Sequence, residues 1–190
     1  MRLLGRRQVE AGEPKASPEL EKQALFERLV ALHSREICGF LAKLCGNHHD
    51  AEELAQDVFV KAHRAIDGLR VPEASRRWLF TIAVDQFQDW IKPKKRRILR
   101  AVTDIEASDP AVDAAARPPM QAMASELSGR LESWIAALPD RQRTVLLLHS
   151  QRGFDYDQIA SILEISVDAV KMSLFHAREK LRSRVERERT

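Results

Sequence analysis

Apolar residues recur at intervals of three and four along most of the chain, the repeat of a helix that buries one face. From Pro18 the stripe runs through Phe26, Leu29, Val30, Ile37, Phe40, Leu41 and Leu44 and ends near Gly46-Asn47. A second stripe, Leu54, Val58, Ala62, Ile66 and Leu69, predicts another long helix, with Asp50 as N-cap and Glu53 three residues on as in a capping box. Gly68 and Pro72 punctuate the chain, and Trp78, Leu79, Ile82, Ala83, Phe87 and Trp90 mark a third helix, expected to stop at Pro93. The pattern fades between Ala101 and Ser125, where Ala, Asp and Pro abound. It returns with Leu127, Leu131, Trp134, Ile135 and Leu138, breaks at Pro139, resumes from Val145 to Leu148 and breaks again around Gly153. Neither strand-like alternation nor an internal repeat is present. The expectation is an all-α chain: a disordered tail over 1–17, a helical domain over 18–100, a flexible linker over 101–125 and a second small helical domain over 126–190.

The last third of the chain is the most informative. Tyr156 to Leu163, then Glu164-Ile165-Ser166, then Val167 to Leu181 read as two helices joined by a tight turn, with Ser166 as a natural N-cap. Ile159, Ala160 and Leu163 are expected to face the second helix, Ile165 to plug the turn, and Val170, Leu174, Ala177 and Leu181 to form the inner face. Asp168, Lys171, Ser173, Phe175, His176 and Arg178 then point outward, where the second helix of a helix-turn-helix enters a major groove. On spacing alone an ordinary αα-hairpin accounts for the pattern equally well. Lys180, Arg182 and Arg184 favour DNA, because neutralised phosphates release counterions and supply most of the affinity.

Charge adds to this picture through its placement. The formal net charge is only +3, yet Lys92, Lys94, Lys95, Arg96, Arg97 and Arg100 crowd one stretch, and Asp104, Glu106, Asp109 and Asp113 follow almost without relief. With 44% apolar residues and no run near the ~20 of a membrane helix, the chain is expected to fold in water and to stay in the cytoplasm. The basic opening residues lead into polar ones, so no secretion signal is read there. Cys38 and Cys45, seven positions apart on one helix, are separated by ~10 Å, beyond disulfide reach. Their spacing to His48 and His49 is not that of a usual zinc site, and no metal or other cofactor is expected. The absence of a Gly-rich phosphate loop, a ligand cluster or a nucleophile elbow argues against an enzyme.

The run Leu138-Pro139-Asp140-Arg141-Gln142-Arg143, the helix through Leu148, Tyr156-Asp157-Gln158-Ile159-Ala160 and Val170-Lys171 resembles region 4 of the sigma-70 family, in its extracytoplasmic-function (ECF) subfamily. Asp50 to Phe59 resembles region 2.2 of the same family, and Arg77 to Ala83 with Asp89 resembles regions 2.3 and 2.4. The first domain is thus similar to the sigma region 2 bundle and the second to the region 4 helix-turn-helix. The resemblance implies a sigma factor that directs promoter-specific transcription initiation. It implies docking of Asp50, Glu52, Glu53, Gln56 and Asp57 on a basic helical hairpin of the largest subunit of core RNA polymerase, with a further contact to the flap region. Trp78, Asp85, Asp89, Trp90, Lys92, Lys94, Lys95, Arg96 and Arg97 would meet the −10 element, where aromatic surfaces and cations hold single-stranded bases. Arg141, Arg143, Ser166, Asp168, Lys171, Ser173, Phe175, His176 and Arg178 would meet the −35 element. The linker would thread toward the polymerase active centre, and an anti-sigma factor is an implied partner.

The chain departs from the family pattern where Asp85 replaces Asn, where Ser173 and His176 replace Arg, and where Glu164 replaces the turn Gly. A carboxylate accepts but does not donate, and repels phosphate; a non-Gly residue is strained if the turn demands positive φ. These changes imply an unusual promoter or weaker upstream binding. Two other readings stay open. One is a sigma-like decoy that binds an anti-sigma factor, the other a helix-turn-helix repressor, which leaves Asp50 to Phe59 without a purpose.

Overall fold

The computed structural model describes residues 17–68, 74–104 and 124–188, with backbone alone over 94–104 and 124–128. All but the last residue of the expected tail and most of the expected linker lie outside the described residues. All regular structure among the described residues is helical: α1 Pro18–Cys45, α2 His48–Ala65, a 3-10 turn Ile66–Gly68, α3 Ser75–Asp104, α4 Ala124–Ala136, α5 Asp140–Ser150, α6 Tyr156–Leu163 and α7 Val167–Glu188. None of these helices is long and apolar enough to cross a membrane.

Helix ends follow local chemistry. At α1, Gly46 takes the left-handed conformation at φ 80° and its N–H bonds to the carbonyl of Ala42, the glycine C-cap that a Cβ would strain. The chain then turns straight into α2, whose N-cap is Asn47 and not the expected Asp50. The Asn47 side chain accepts from the Asp50 N–H at 2.8 Å, so Asp50 sits in the first turn. The physical reason is that a cap must immediately follow the Gly46 turn, which starts the helix three residues early.

The expected stop at Pro93 does not occur either. α3 carries Pro93 within it and runs on to Asp104. Proline removes one backbone donor, but Pro93 is exposed, so water can satisfy the freed carbonyl on that side. The basic block is therefore helical in backbone.

Ile37, Phe40, Leu41, Leu44, Val58, Leu79, Phe80, Ala83 and Phe87 of the first three helices are almost wholly buried, as are Val145, Leu147, Leu148, Ile159, Ile162 and Leu174 of the last three. Both sets belong to one continuous core. Phe80 joins them, with its ring 5.1 Å from Phe40 and 5.0 Å from Phe154, both edge-on, an arrangement that aromatic quadrupoles favour.

Candidate functional site

The C-terminal helix pair is fixed largely by its own sequence. Asp155 caps α6 by accepting from the Gln158 N–H at 2.7 Å, and the Gln158 side chain accepts from the Asp155 N–H at 3.1 Å, a reciprocal capping box. α6 ends at Glu164, whose φ of 51° and ψ of 43° are left-handed, so the strain expected of a non-Gly turn residue is present. Ser166 caps α7 as expected, its Oγ accepting from the Ala169 N–H at 3.2 Å. Val170, Ser173, Leu174 and Ala177 then turn inward.

The other face of α7 is open. Asp168, Lys171, Met172, Phe175, His176 and Arg178 are all exposed, and Phe175 keeps 57% of its surface in solvent. An apolar ring so exposed on a basic helix is a group that can meet a thymine methyl. Lys171 lies 3.5 Å from Asp168, one turn away. Two of the expected DNA contacts do not reach this face. Ser173 is buried because it shares the i+3 and i+4 positions of Val170 and Ala177, where a small side chain packs. Arg143 is buried as well, donating to the Ala136 carbonyl at 2.6 Å and to Asp140 at 2.8 Å, over the Phe87 ring. It ties down the C-terminal end of α4 and faces α3. Arg141, by contrast, is exposed on the first turn of α5.

On α2, Glu52, Glu53, Gln56 and Asp57 are exposed together, while Asp50 is half-buried. His48 and His49 stand 3.5 Å from Glu52 and Glu53, one turn earlier. Beside this acidic face an open, mainly apolar groove of about 980 Å³ runs between α1 and α2, lined by residues that include Phe26, Val30, Cys38, Phe59 and Val60. An apolar strip with a charged rim is the anatomy of a protein-binding surface.

On α3, Trp78 and Trp90 are half-buried and pack on the core, and Trp90 stacks near Phe87 at 6.0 Å. Asp85 and Asp89 are exposed on the helix between them. Partial burial pushes the Asp85 carboxyl above its ordinary range, and the negative charges of Glu164 and Asp89 push it the same way. Asp89 is held low by its bond to Lys92 at 3.0 Å. The side chains of Lys94, Lys95, Arg96 and Arg97 lie outside the described residues.

Sequence reasoning missed three residues. Asn47 and Asp155 were legible as polar residues directly after a glycine or three before Gln158. Arg76, which links α1, α3 and the turn before α6, was not, since its partners lie 40 and 76 residues away.

The chain matches two family models, Sigma-70 region 2 over residues 29–97 and Sigma-70, region 4 over residues 128–181. It is 28% identical over 169 residues to the ECF RNA polymerase sigma-E factor of Escherichia coli, covering 86% of this chain and 88% of that one. To the RNA polymerase sigma-H factor of Pseudomonas aeruginosa it is 26% identical over 159 residues, covering 81% and 82%. Among solved structures it resembles CnrH in complex with the cytosolic domain of CnrY, with a TM-score of 0.60, 25% identity and coverage of 86% and 89%. It also shares the fold of the sigma factor RpoE in complex with the anti-sigma factor NepR from Bartonella quintana, with a TM-score of 0.64, 22% identity and coverage of 85% and 96%. With both regions present in family order over well over half its length, the chain belongs to the sigma-70 family of RNA polymerase sigma factors, in its extracytoplasmic-function branch.

Proposed function

We propose that this sigma factor divides promoter-directed initiation among three helices. The acidic face of α2, Glu52, Glu53, Gln56 and Asp57, with the apolar groove beside it, docks on a basic helical hairpin of the polymerase largest subunit; complementary charge steers that association. α3 meets the −10 element through the region from Trp78 to Trp90 and the basic block that follows. α7 lies in the major groove of the −35 element, with Lys171 and Arg178 on phosphates, Phe175 and His176 toward base edges, and Arg141 of α5 on the flanking backbone. Catalysis stays with the polymerase, and the protein works in the cytoplasm, where that enzyme and the promoter are. An anti-sigma factor is a further partner; one structural neighbour is described in complex with such a protein.

The observation that carries this reading is the exposed face of α7, basic and aromatic at once, on a helix seated by capping residues at both sides of its turn. The test is run-off transcription with core polymerase, this protein and a library of double-stranded promoter fragments. Discrete starts preceded by two shared elements are expected. Core association without transcripts on any fragment would overturn the promoter role and leave the decoy reading, and no core association would overturn the α2 assignment.

A further inference from the structure

The two flanks of α7 carry different sets of cations. At about 100° per residue, Lys171, Arg178 and Arg182 share one flank, and Lys180, Arg184 and Arg187 lie roughly half a circumference away from them. The second set is joined by Trp134 of α4 and Leu138 just beyond it around a pocket of about 370 Å³, where α4 meets α7.

Two properties set this pocket apart. Trp134 is buried, at 8% exposed, yet lies apart from the continuous core that holds the other buried apolar residues; its indole walls the pocket instead. The cations around it are uncompensated. Among the described residues Lys180, Arg184 and Arg187 take part in no ion pair, whereas their neighbours do: Arg130 pairs with Glu188, and Arg182 with Glu179 at 3.1 Å. Glu179 also lines the pocket, so the carboxylate closest to the three cations in sequence is held by a guanidinium on the other flank. At positions i, i+4 and i+7 the three charges fall within about 10 Å of helix, and like charges at that spacing repel. A ligand that brings several negative charges close together removes the repulsion.

Linked phosphates are such a ligand. Their oxygens accept from a guanidinium fork in pairs and from an ammonium as from a point charge. Shape and lining ask for more than phosphate alone. A volume of about 370 Å³ falls in the range of small-molecule sites, roughly 300–1,000 Å³, and the wall of Trp134 and Leu138 offers apolar surface to a flat ring. A duplex backbone needs cations along an open face, as on the Lys171 and Arg178 flank, and not a walled pocket.

We propose that the pocket between α4 and α7 binds a nucleoside polyphosphate, with its phosphates on Lys180, Arg184 and Arg187 and its base against Trp134 and Leu138. The site stands apart from the outer face of α7 and does not depend on the DNA role given to that face.

Isothermal titration calorimetry on the full chain, without divalent cations, tests this with GTP, inorganic tripolyphosphate and an acidic peptide of alternating Glu and Leu as probes. GTP is expected to bind. Arg184→Gln with Arg187→Gln, both exposed positions whose replacement spares the core, should weaken it about tenfold or more. Arg28→Gln with Lys43→Gln, an equal loss of charge on α1, should leave it unchanged. Tripolyphosphate should bind about three- to tenfold more weakly than GTP, because it leaves the apolar wall uncovered. Tripolyphosphate binding as tight as GTP would overturn the nucleoside and leave inorganic polyphosphate on the same cations. No binding of GTP, or an equal loss in both double variants, would overturn the site. Tighter binding of the peptide, lost in the Arg184 and Arg187 variant, would give the surface to a protein partner. A fall in −35 duplex binding by the same factor as GTP binding in that variant would give these cations to DNA.

Discussion

The two helices assigned to the promoter, α3 and α7, present their functional faces in opposite ways. α7 turns Asp168, Lys171, Phe175 and Arg178 to solvent, and its start is set locally by the Asp155–Gln158 box, the Glu164 turn and the Ser166 cap. α3 is set from afar. Its Phe80 is clasped between Phe40 and Phe154, its Arg76 between Glu36 and Arg152, and its Asp85 feels the negative charge of Glu164 from the other half. The difference teaches that a locally determined element can stay ready for its ligand, whereas an element fixed by distant contacts has its exposure tied to whatever holds those contacts.

The largest effect should come from breaking the long-range side. Phe80→Ala is expected to lower stability by about 3–5 kcal/mol, the cost of deleting a fully buried ring shared by both halves. Urea unfolding followed by circular dichroism measures it, and a loss under about 1 kcal/mol would mean that α3 does not depend on the shared core. On the local side, Lys171→Ala with Arg178→Ala should weaken −35 duplex binding about tenfold. The slope of log K against log salt should shrink by about one per residue. Binding to core polymerase, followed by gel shift, should not change, and equal loss of both would undo the division of labour.

Smaller changes sharpen the same contrast. Asp155→Ala should cost about 1 kcal/mol by removing the cap of α6, while Glu164→Gly should gain about 0.5–1 kcal/mol by relieving the left-handed turn. Thermal unfolding would show the two shifts in opposite directions. Smallest is the electrostatic opposition across the halves. The Asp85 carboxyl titrates above its ordinary value in the folded chain, so its ionised form destabilises folding at neutral pH. That penalty is relieved as pH falls through the raised value toward the ordinary one. Asp85→Asn should therefore stabilise the protein at pH 7, by less than about 0.5 kcal/mol given solvent screening, and the gain should vanish near pH 4. Glu36 contributes with the other sign. Burial alone would raise it, but the hydrogen bond and charge of Arg76, aided by Arg152 and His33, hold it low. Its contribution is present above its unfolded value and is lost as pH falls through the depressed one.

Much of the architecture was legible in the chain. Apolar stripes located approximately the seven α-helices seen among the described residues, Gly46 and Gly153 marked turns that do adopt positive φ, and the helix-turn-helix with its Ser166 cap followed from spacing. Boundaries failed where two local signals competed. Asp50 had the right partner for a capping box, but Asn47 stood first after the turn, and Pro93 was read as a stop although an exposed proline removes only one bond. The acidic face of α2 and most of the outer face of α7 were read correctly as exposed. Ser173 and Arg143 were not, because residue type suggests polarity and says nothing of which neighbour lies beneath.

By itself, then, the sequence determined the helices, their caps, the family and the residues able to meet an anionic or basic partner, since all of these depend on groups a few positions apart. Only the tertiary structure decided that Arg143 serves α4 and α3, that Phe80 joins two cores into one, and that Arg76 spans from Glu36 to Arg152. Contacts between residues 40 or 76 positions apart leave no periodic trace along a chain, because they are chosen by how whole helices pack and not by the dihedral preferences of neighbours.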